Sequence, residues 1–176
     1  MSHSTHAHVH VVDKGSATPV DVSHGVLTAI PIATDIPLAE FGLAVEQGTF
    51  NNFVTLTGTV GVQSSVPTLT TSVDKVILRI YRRNTTPAGP TVLIHETHQS
   101  LLGALQEVNV SFSFTDGGAD GLPVPTGYHA YTLSIQRDAT DPLIVPFTPN
   151  VIGPIQFEGT SYTTNIEPVH PIVGLE

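Results

Sequence analysis

The sequence predicts an all-β fold, an antiparallel β-sandwich or jelly roll of about eight strands with an extended N-terminal arm. Several short segments alternate between apolar and polar residues, which is typical of strands with one buried face. Fifteen glycines and 14 prolines are scattered between these segments and supply turns. No clear helical pattern intervenes, so we expect antiparallel pairing. With 176 residues, the chain is long enough for one domain.

Residues 1–18 are the predicted flexible arm, because they are polar, rich in histidine and interrupted by Gly15. Residues 4–13 read STHAHVHVVD, a strand pattern with histidines on one face and small apolar residues on the other. One interpretation is that the apolar face packs on a sheet while the histidines face water. A strand on an arm needs a partner sheet, however, so we favour strand addition to a neighbouring copy. The predicted contact residues are Ala7, Val9, Val11 and Val12.

Strand-like segments follow in order at residues 19–32, 38–45, 53–63, 73–83, 91–98, 107–116, 128–137 and 150–163. The alternation predicts these core residues: Val54, Leu56, Val60, Val62, Val76, Leu78, Ile80, Val108, Val110, Phe112, Phe114, Tyr131, Leu133 and Ile135. Pro31 and Pro37 lack a backbone donor, which favours edge or bulge positions. We place the sandwich at residues 19–164. Two X-Pro pairs predict an extended tail at residues 165–176.

The composition excludes several classes of partner. Six basic residues against 15 acidic ones give a formal net charge of −9, and the basic residues form no long run, so we expect no nucleic acid partner. No apolar run approaches the ~20 residues that span a bilayer, and the N-terminus does not resemble a signal peptide. We therefore expect no membrane span and no leader. The absence of cysteine excludes disulfides and thiol chemistry.

Two groups of residues are candidate metal ligands, although we expect no cofactor. His6, His8 and His10 project from one side of a strand about 6.6 to 7 Å apart, and neutral imidazoles suit zinc, nickel or copper. No carboxylate or cysteine is close enough in sequence to complete that site. Asp116 and Asp120, in the stretch TDGGADG, are candidate calcium ligands, but the stretch lacks the oxygen spacing of an EF-hand. A tight glycine turn is the alternative there.

Enzyme motifs are missing, so we predict that the protein is not an enzyme. The stretch HETH at residues 95–98 resembles zinc-protease sequence but has the wrong spacing, and on a strand its two histidines would point to opposite faces. His129 is predicted to face the core as a hydrogen-bonded structural residue. Arg79, Arg82 and Arg83 form a small basic cluster, which favours a solvated edge or a subunit contact.

Five segments carry a resemblance to a known family. They are VTLTGTVGVQ, ILRIYRR, VNVSFSFTD, PTGYHAYTLSIQ and NVIGPIQFEG, and they run in order from about residue 54 to residue 159. Over this stretch the chain resembles exosporium protein C and related spore-surface proteins of Bacillus-type spore formers. The resemblance implies a structural component of the outer spore layers, made in the mother cell without a signal peptide. In architecture the chain is also similar to the jelly-roll subunits of endospore appendages, whose N-terminal extensions reach another subunit. Those extensions use cysteines, which this chain lacks.

These observations predict a structural, self-assembling protein of the spore surface, in the exosporium, the coat or an appendage fibre. Its partners would be copies of itself, in a helical filament or stacked rings, and other spore-surface proteins. The alternative is a jelly-roll module that binds calcium or a glycan through the loop around Asp116 and Asp120. A cupin-like enzyme comes last, since only His129 lies on a predicted inward strand face.

Overall fold

The computed structural model describes residues 6–19, 28–48, 51–64, 74–86, 88–101, 107–117, 122–138 and 148–167. These residues contain ten strands and no helix. In chain order the strands are β1 (His6–Ser16), β2 (Thr18–Pro19), β3 (Thr28–Ala29), β4 (Ile36–Val45), β5 (Asn51–Gln63), β6 (Asp74–Thr86), β7 (Ala88–Leu101), β8 (Glu107–Gly117), β9 (Gly127–Arg137) and β10 (Asn150–Glu167). Two of them, β2 and β3, are only two residues long.

The strands form two sheets, each built on four long strands. Sheet A has the order β1, β10, β5, β8, and the short β3 pairs with β10. Sheet B has the order β2, β4, β9, β6, β7. All pairs of strands in both sheets are antiparallel. The structure therefore confirms the predicted all-β class and is consistent with an antiparallel sandwich.

The core lies between the sheets and contains most of the side chains that the alternation predicts. The predicted inward residues of β5, β6 and β9 are at most 1% exposed: Val54, Leu56, Val60, Val62, Val76, Leu78, Ile80, Tyr131, Leu133 and Ile135. Across the sheets, the rings of Phe41 in β4 and Phe157 in β10 pack with centroids 4.7 Å apart. On β8 the prediction holds for Val110, whereas Phe112 and Phe114 are only half-buried. The reason is that β8 is an edge strand, with a neighbour on one side only.

The two prolines singled out in the sequence lie at irregular positions. Pro37 precedes a register shift in the pairing of β4 with β9, as its missing backbone donor predicted. Pro31 lies outside the strands, and its carbonyl accepts a hydrogen bond from the amide of Arg137 at 2.9 Å.

A regular strand stands where the sequence predicted a flexible arm. β1 pairs with β10 of the same chain along its whole length. Gly15 does not interrupt the strand, since it pairs with Gly159. A Cβ at position 15 would lie 2.7 Å from Cδ2 of Phe41, so the glycine lets β1 approach β4 closely. Asp13 adds a second contact, since its Oδ2 accepts a hydrogen bond from the amide of Ala44 at 2.9 Å. A separate arm is therefore not confirmed for residues 6–16.

The C-terminal boundary also differs from the prediction. β10 continues to Glu167, which pairs with His6, so the sandwich extends past the predicted limit at residue 164. The rest of the predicted tail, residues 168–176, lies outside the described residues, as do residues 1–5 of the predicted arm.

Candidate functional site

The beginning of β1 and the end of β10 extend past the neighbouring strand of sheet A. Asn51, the first residue of β5, pairs with Thr164. Within the described part of the sheet, residues 165–167 therefore pair only with residues 6–8. A two-stranded ribbon is marginally stable without a third strand or a covering layer. Residues 6–11, which we call the β1 tip, thus occupy an open end of the sandwich.

The valines of the β1 tip lie on the outer face of sheet A. Val11 is directly opposite Tyr162, and directly opposed residues of antiparallel strands share a face. Ser161, the neighbour of Tyr162, is fully buried and donates a hydrogen bond to the carbonyl of Ala44 in sheet B, so Tyr162 points away from the core. Val9 follows the same alternation. The two valines are 58% and 53% exposed.

An aromatic pair lies beside these valines on the outer face. The rings of Phe53 and Tyr162 are stacked with centroids 4.9 Å apart, and both side chains are half-buried. Val12 is half-buried at the irregularity in the pairing of β1 with β10. Of the four predicted contact residues, two are thus exposed and one is half-buried. The side chain of Ala7 lies outside the described part of the structure.

The histidines of the β1 tip lie on the opposite face of the same strand. His10 is directly opposite Thr163, a buried residue, and His8 follows two positions away on the same face. Both histidines are nevertheless exposed, because β1 runs past the end of β4: Asp13 already contacts Ala44, the last residue but one of that strand. The ring centroids of His8 and His10 are 6.3 Å apart.

The remaining candidate metal ligands are only partly described. Asp116 is 7% exposed, and its Oδ2 accepts hydrogen bonds from Arg82 at 2.6 Å and from the hydroxyl of Tyr131 at 3.1 Å. A calcium ion at this carboxylate would have to compete with that guanidinium group. The side chain of His6 and the whole of Asp120 lie outside the described residues. In the described part of the chain, no group of three or more histidine or carboxylate side chains is placed to hold a metal ion.

His129 is fully buried close to the pair of Arg82 and Asp116. Its Nε2 donates a hydrogen bond to the carbonyl of Pro125 at 2.6 Å, so the residue is buried and hydrogen-bonded as predicted, while its Nδ1 has no hydrogen-bond partner among the described residues. Burial lowers the pKa of His129, since an imidazolium ion loses its hydration there. Burial also raises the pKa of Tyr131, and the Asp116 carboxylate adds to that effect.

The stretch HETH lies on β7 with its two histidines on opposite faces, as the strand pattern predicted. His95 stacks on Phe114 with ring centroids 4.5 Å apart, and burial lowers its pKa. His98 lies on the outer face and is 2.8 Å from the carboxylate of Glu96. A hydrogen bond from Arg79 at 2.6 Å lowers the pKa of Glu96.

The predicted basic cluster is divided between the two faces of β6. Arg79 lies on the outer face, where it binds Glu96 and, at 3.0 Å, Asp35. Arg82 instead reaches Asp116 at the end of the core, and Arg83 is exposed. Sequence reasoning missed Asp35 as a partner because it lies 44 positions from Arg79 and outside any strand pattern.

The chain matches no known protein-family model and no curated protein. The resemblance to spore-surface proteins therefore stays a prediction. None of the described residues forms a helix that is long and apolar enough to cross a membrane.

The β1 tip offers two kinds of interaction. Its outer face exposes the apolar side chains of two valines, and its inner face exposes two imidazoles. One long side of its backbone is also free within the described sheet, because β1 pairs with β10 alone. Of the predicted site residues, the structure thus places Val9, Val11, His8 and His10 together and leaves Asp116 at a distance, inside the sandwich.

Proposed function

We propose that the protein is a structural, self-assembling subunit of the spore surface, whose copies join by strand addition at β1. The observation that carries this proposal is the β1 tip, an edge segment with two exposed valines, Val9 and Val11. An edge strand is a template for pairing with another chain unless proline, charge or a bulge blocks it. The tip reads HAHVHV and contains no proline, lysine or carboxylate, so nothing of that kind blocks pairing there.

The acceptor in the next copy is β8. β1 and β8 are the two edges of sheet A, and each is 11 residues long. Pairing β1 of one copy with β8 of the next continues sheet A from copy to copy. Such a head-to-tail contact is heterologous and generates rings or filaments. β7, the nearby edge of sheet B, fits less well because it contains Pro90, which lacks a donor for a new ladder.

We also propose that the sandwich is a jelly roll. With the short strands set aside, the first long strand pairs with the last, the second with the seventh, the third with the sixth and the fourth with the fifth. The pairs are β1 with β10, β4 with β9, β5 with β8 and β6 with β7. This is the pattern of one long hairpin rolled into two sheets, as in an eight-stranded jelly roll. Jelly rolls build viral capsids as well as lectins, so the fold is compatible with assembly.

The location at the spore surface rests on the resemblance of the five segments between residues 54 and 159. A chain with only 12% charged residues and many exposed threonines and serines suits a durable outer layer. Immunogold labelling of spores from the organism that encodes the chain tests this part of the proposal. Label on the outer layers is the expected result, and label confined to vegetative cells would contradict it.

Charge placed on the β1 tip tests the assembly directly. The full-length protein and its Val9→Lys/Val11→Lys variant are compared by sedimentation velocity and negative-stain electron microscopy. We expect concentration-dependent rings or filaments from the first and monomers from the second, because lysine on an edge strand opposes pairing with another chain and its ammonium group would lose hydration in the contact. Since both valines are exposed, the variant keeps the fold.

A matched control is available on the other side of the sandwich. Val92 and Leu93 of β7 are 43% and 46% exposed, so Val92→Lys/Leu93→Lys adds the same charge at another exposed pair. This variant should assemble like the natural protein. Assembly lost in the β7 variant and kept in the β1 variant would move the contact to β7. A natural protein that stays monomeric at all concentrations would overturn the proposal.

A further inference from the structure

Two histidines of the β1 tip are arranged as a pair on a regular strand. His8 and His10 lie on one face with their ring centroids 6.3 Å apart and the ring planes at 34°. Both side chains are exposed, so water and small ions reach them. The proposed assembly uses the other face and the edge of this strand, and therefore leaves the two imidazoles unexplained.

The backbone beneath this pair is held in place. His8 is directly opposite Asn165 in β10, and His10 is directly opposite Thr163. Thr163 is in turn fixed by a hydrogen bond from its hydroxyl to Asn52 of β5 at 3.2 Å. The strand pairing thus keeps both imidazoles on one face, most firmly at His10, since Asn165 opposite His8 has no third strand beside it in the described sheet. A ligand that bridges them therefore gains from preorganisation that a disordered histidine run lacks.

From this geometry we infer that His8 and His10 together bind one divalent transition-metal ion of the zinc, copper or nickel class. Neutral imidazole is a preferred ligand for these ions. Zinc–nitrogen bonds of about 2.0 to 2.1 Å in tetrahedral geometry place two ligating nitrogens about 3.3 Å apart. The rings reach that distance by turning toward each other, which exposed side chains are free to do. Two ligands leave about two positions of a tetrahedral ion for water.

The pair differs from the other histidines of the described chain. His129 is fully buried and donates its Nε2 hydrogen to a carbonyl, and His95 is stacked on Phe114. His98 lies on the opposite face of β7 from His95, so those two cannot share an ion. Within the described residues, only the β1 tip presents two imidazoles on one face at adjacent positions.

Isothermal titration calorimetry with zinc chloride, and separately with nickel chloride, tests the inference on the full-length protein. We expect one ion per chain. Removing a residue that only hydrogen-bonds to a metal ligand already lowers metal affinity about 10- to 100-fold. His8→Gln/His10→Gln removes the ligands themselves and should weaken binding at least that much. The matched control His95→Gln/His98→Gln removes the same number of imidazoles and should bind like the natural protein. Unchanged binding by the His8/His10 variant, or no binding by the natural protein, would overturn the inference.

A second measurement places the ion. In NMR spectra of the full-length Val9→Lys/Val11→Lys variant, substoichiometric copper chloride should broaden the signals of His8, His10 and the β10 residues opposite them before any others. Broadening that begins at a different histidine would contradict the site. Because this variant is not expected to assemble, metal binding is tested there independently of the proposed self-assembly. Either proposal can therefore fail while the other holds.

Discussion

Arg82 and Asp116 form the ion pair that closes one end of the core. The guanidinium and carboxylate groups are 2.6 Å apart, with side chains 19% and 10% exposed. The Tyr131 hydroxyl adds a hydrogen bond to the same carboxylate oxygen. A charge this deeply buried is tolerated because it is paired, and removing one partner leaves the other charge without compensation. The sequence placed Asp116 in a glycine-rich turn and Arg82 in a basic cluster, and nothing in its local pattern joins residues 34 positions apart.

Arg82→Met is expected to lower the free energy of unfolding by about 3 kcal/mol, because methionine keeps much of the apolar stem and leaves the Asp116 carboxylate without its cation. Urea denaturation at neutral pH measures this change. The control is Arg83→Met, at an exposed position on the same strand, which should stay within about 0.5 kcal/mol of the natural protein. Equal effects of the two substitutions would show that the ion pair contributes nothing specific.

His129 makes stability depend on pH. Burial lowers its pKa in the folded state below the ordinary value near 6.5, so the unfolded chain takes up a proton first as the pH falls. The stabilising contribution is therefore complete above about pH 6.5 and declines as the pH drops toward the lowered pKa. His95 acts in the same direction, because burial lowers its pKa too.

His129→Leu should flatten this dependence. Urea midpoints measured from pH 7.5 down to pH 5 should fall less steeply in the variant than in the natural protein, whatever the difference at pH 7.5. His95→Leu should remove the other part of the slope, so the double variant should be flattest. If all the variants follow the slope of the natural protein, neither of these two histidines controls the pH dependence.

At the scale of the elements, the period-two pattern predicts strands and faces well but not their partners. β5, β6 and β9 have neighbours on both sides, so their apolar residues are buried as the alternation indicates. β8 shows the clearest alternation, yet its aromatic residues are only partly buried because the strand lies at an edge of the sheet. The sequence pattern does not reveal that position. β1 was predicted as a strand, but its pairing with β10 joins positions about 150 residues apart. No local signal encodes a contact of that range.

Gly15 lets β1 lie close to β4. The sequence suggested a break in the chain at this glycine, whereas the structure uses it for close contact with Phe41 and the backbone of Gly42. Gly15→Val should force β1 away from β4 and lower the free energy of unfolding by about 1 to 3 kcal/mol. Hydrogen exchange of residues 6–16 should speed up at the same time. Ser16→Val, one position along at an exposed site, is the control and should change neither quantity much.

If Gly15→Val and Ser16→Val behave alike, the close approach of β1 to β4 does not determine stability. A loss confined to β1, with protection elsewhere unchanged, would show that this strand detaches as a local unit. That outcome would also make β1 available for exchange between copies, because a second copy offers the same β10.

At the scale of the whole molecule, the sequence pattern predicts the fold but does not predict how copies would pair. Two antiparallel sheets over one core follow from the alternation, the turn residues and the absence of helical periodicity. The proposed assembly would depend instead on which edges remain open, and that is a property of strand order. Within the described residues sheet A ends in β1 and β8, so pairing these two edges between copies would extend the sheet from copy to copy. The net charge of −9 opposes association, and salt should therefore promote it by screening.

Hydrogen exchange with mass spectrometry on assembled and dissociated protein tests the central claim most directly, because new backbone pairing slows exchange at the strands that pair. The account predicts added protection in peptides from β1 (His6–Ser16) and β8 (Glu107–Gly117), and unchanged exchange in β7 (Ala88–Leu101). Added protection in β7, or assemblies in which β1 exchanges as fast as in the monomer, would contradict strand addition at β1.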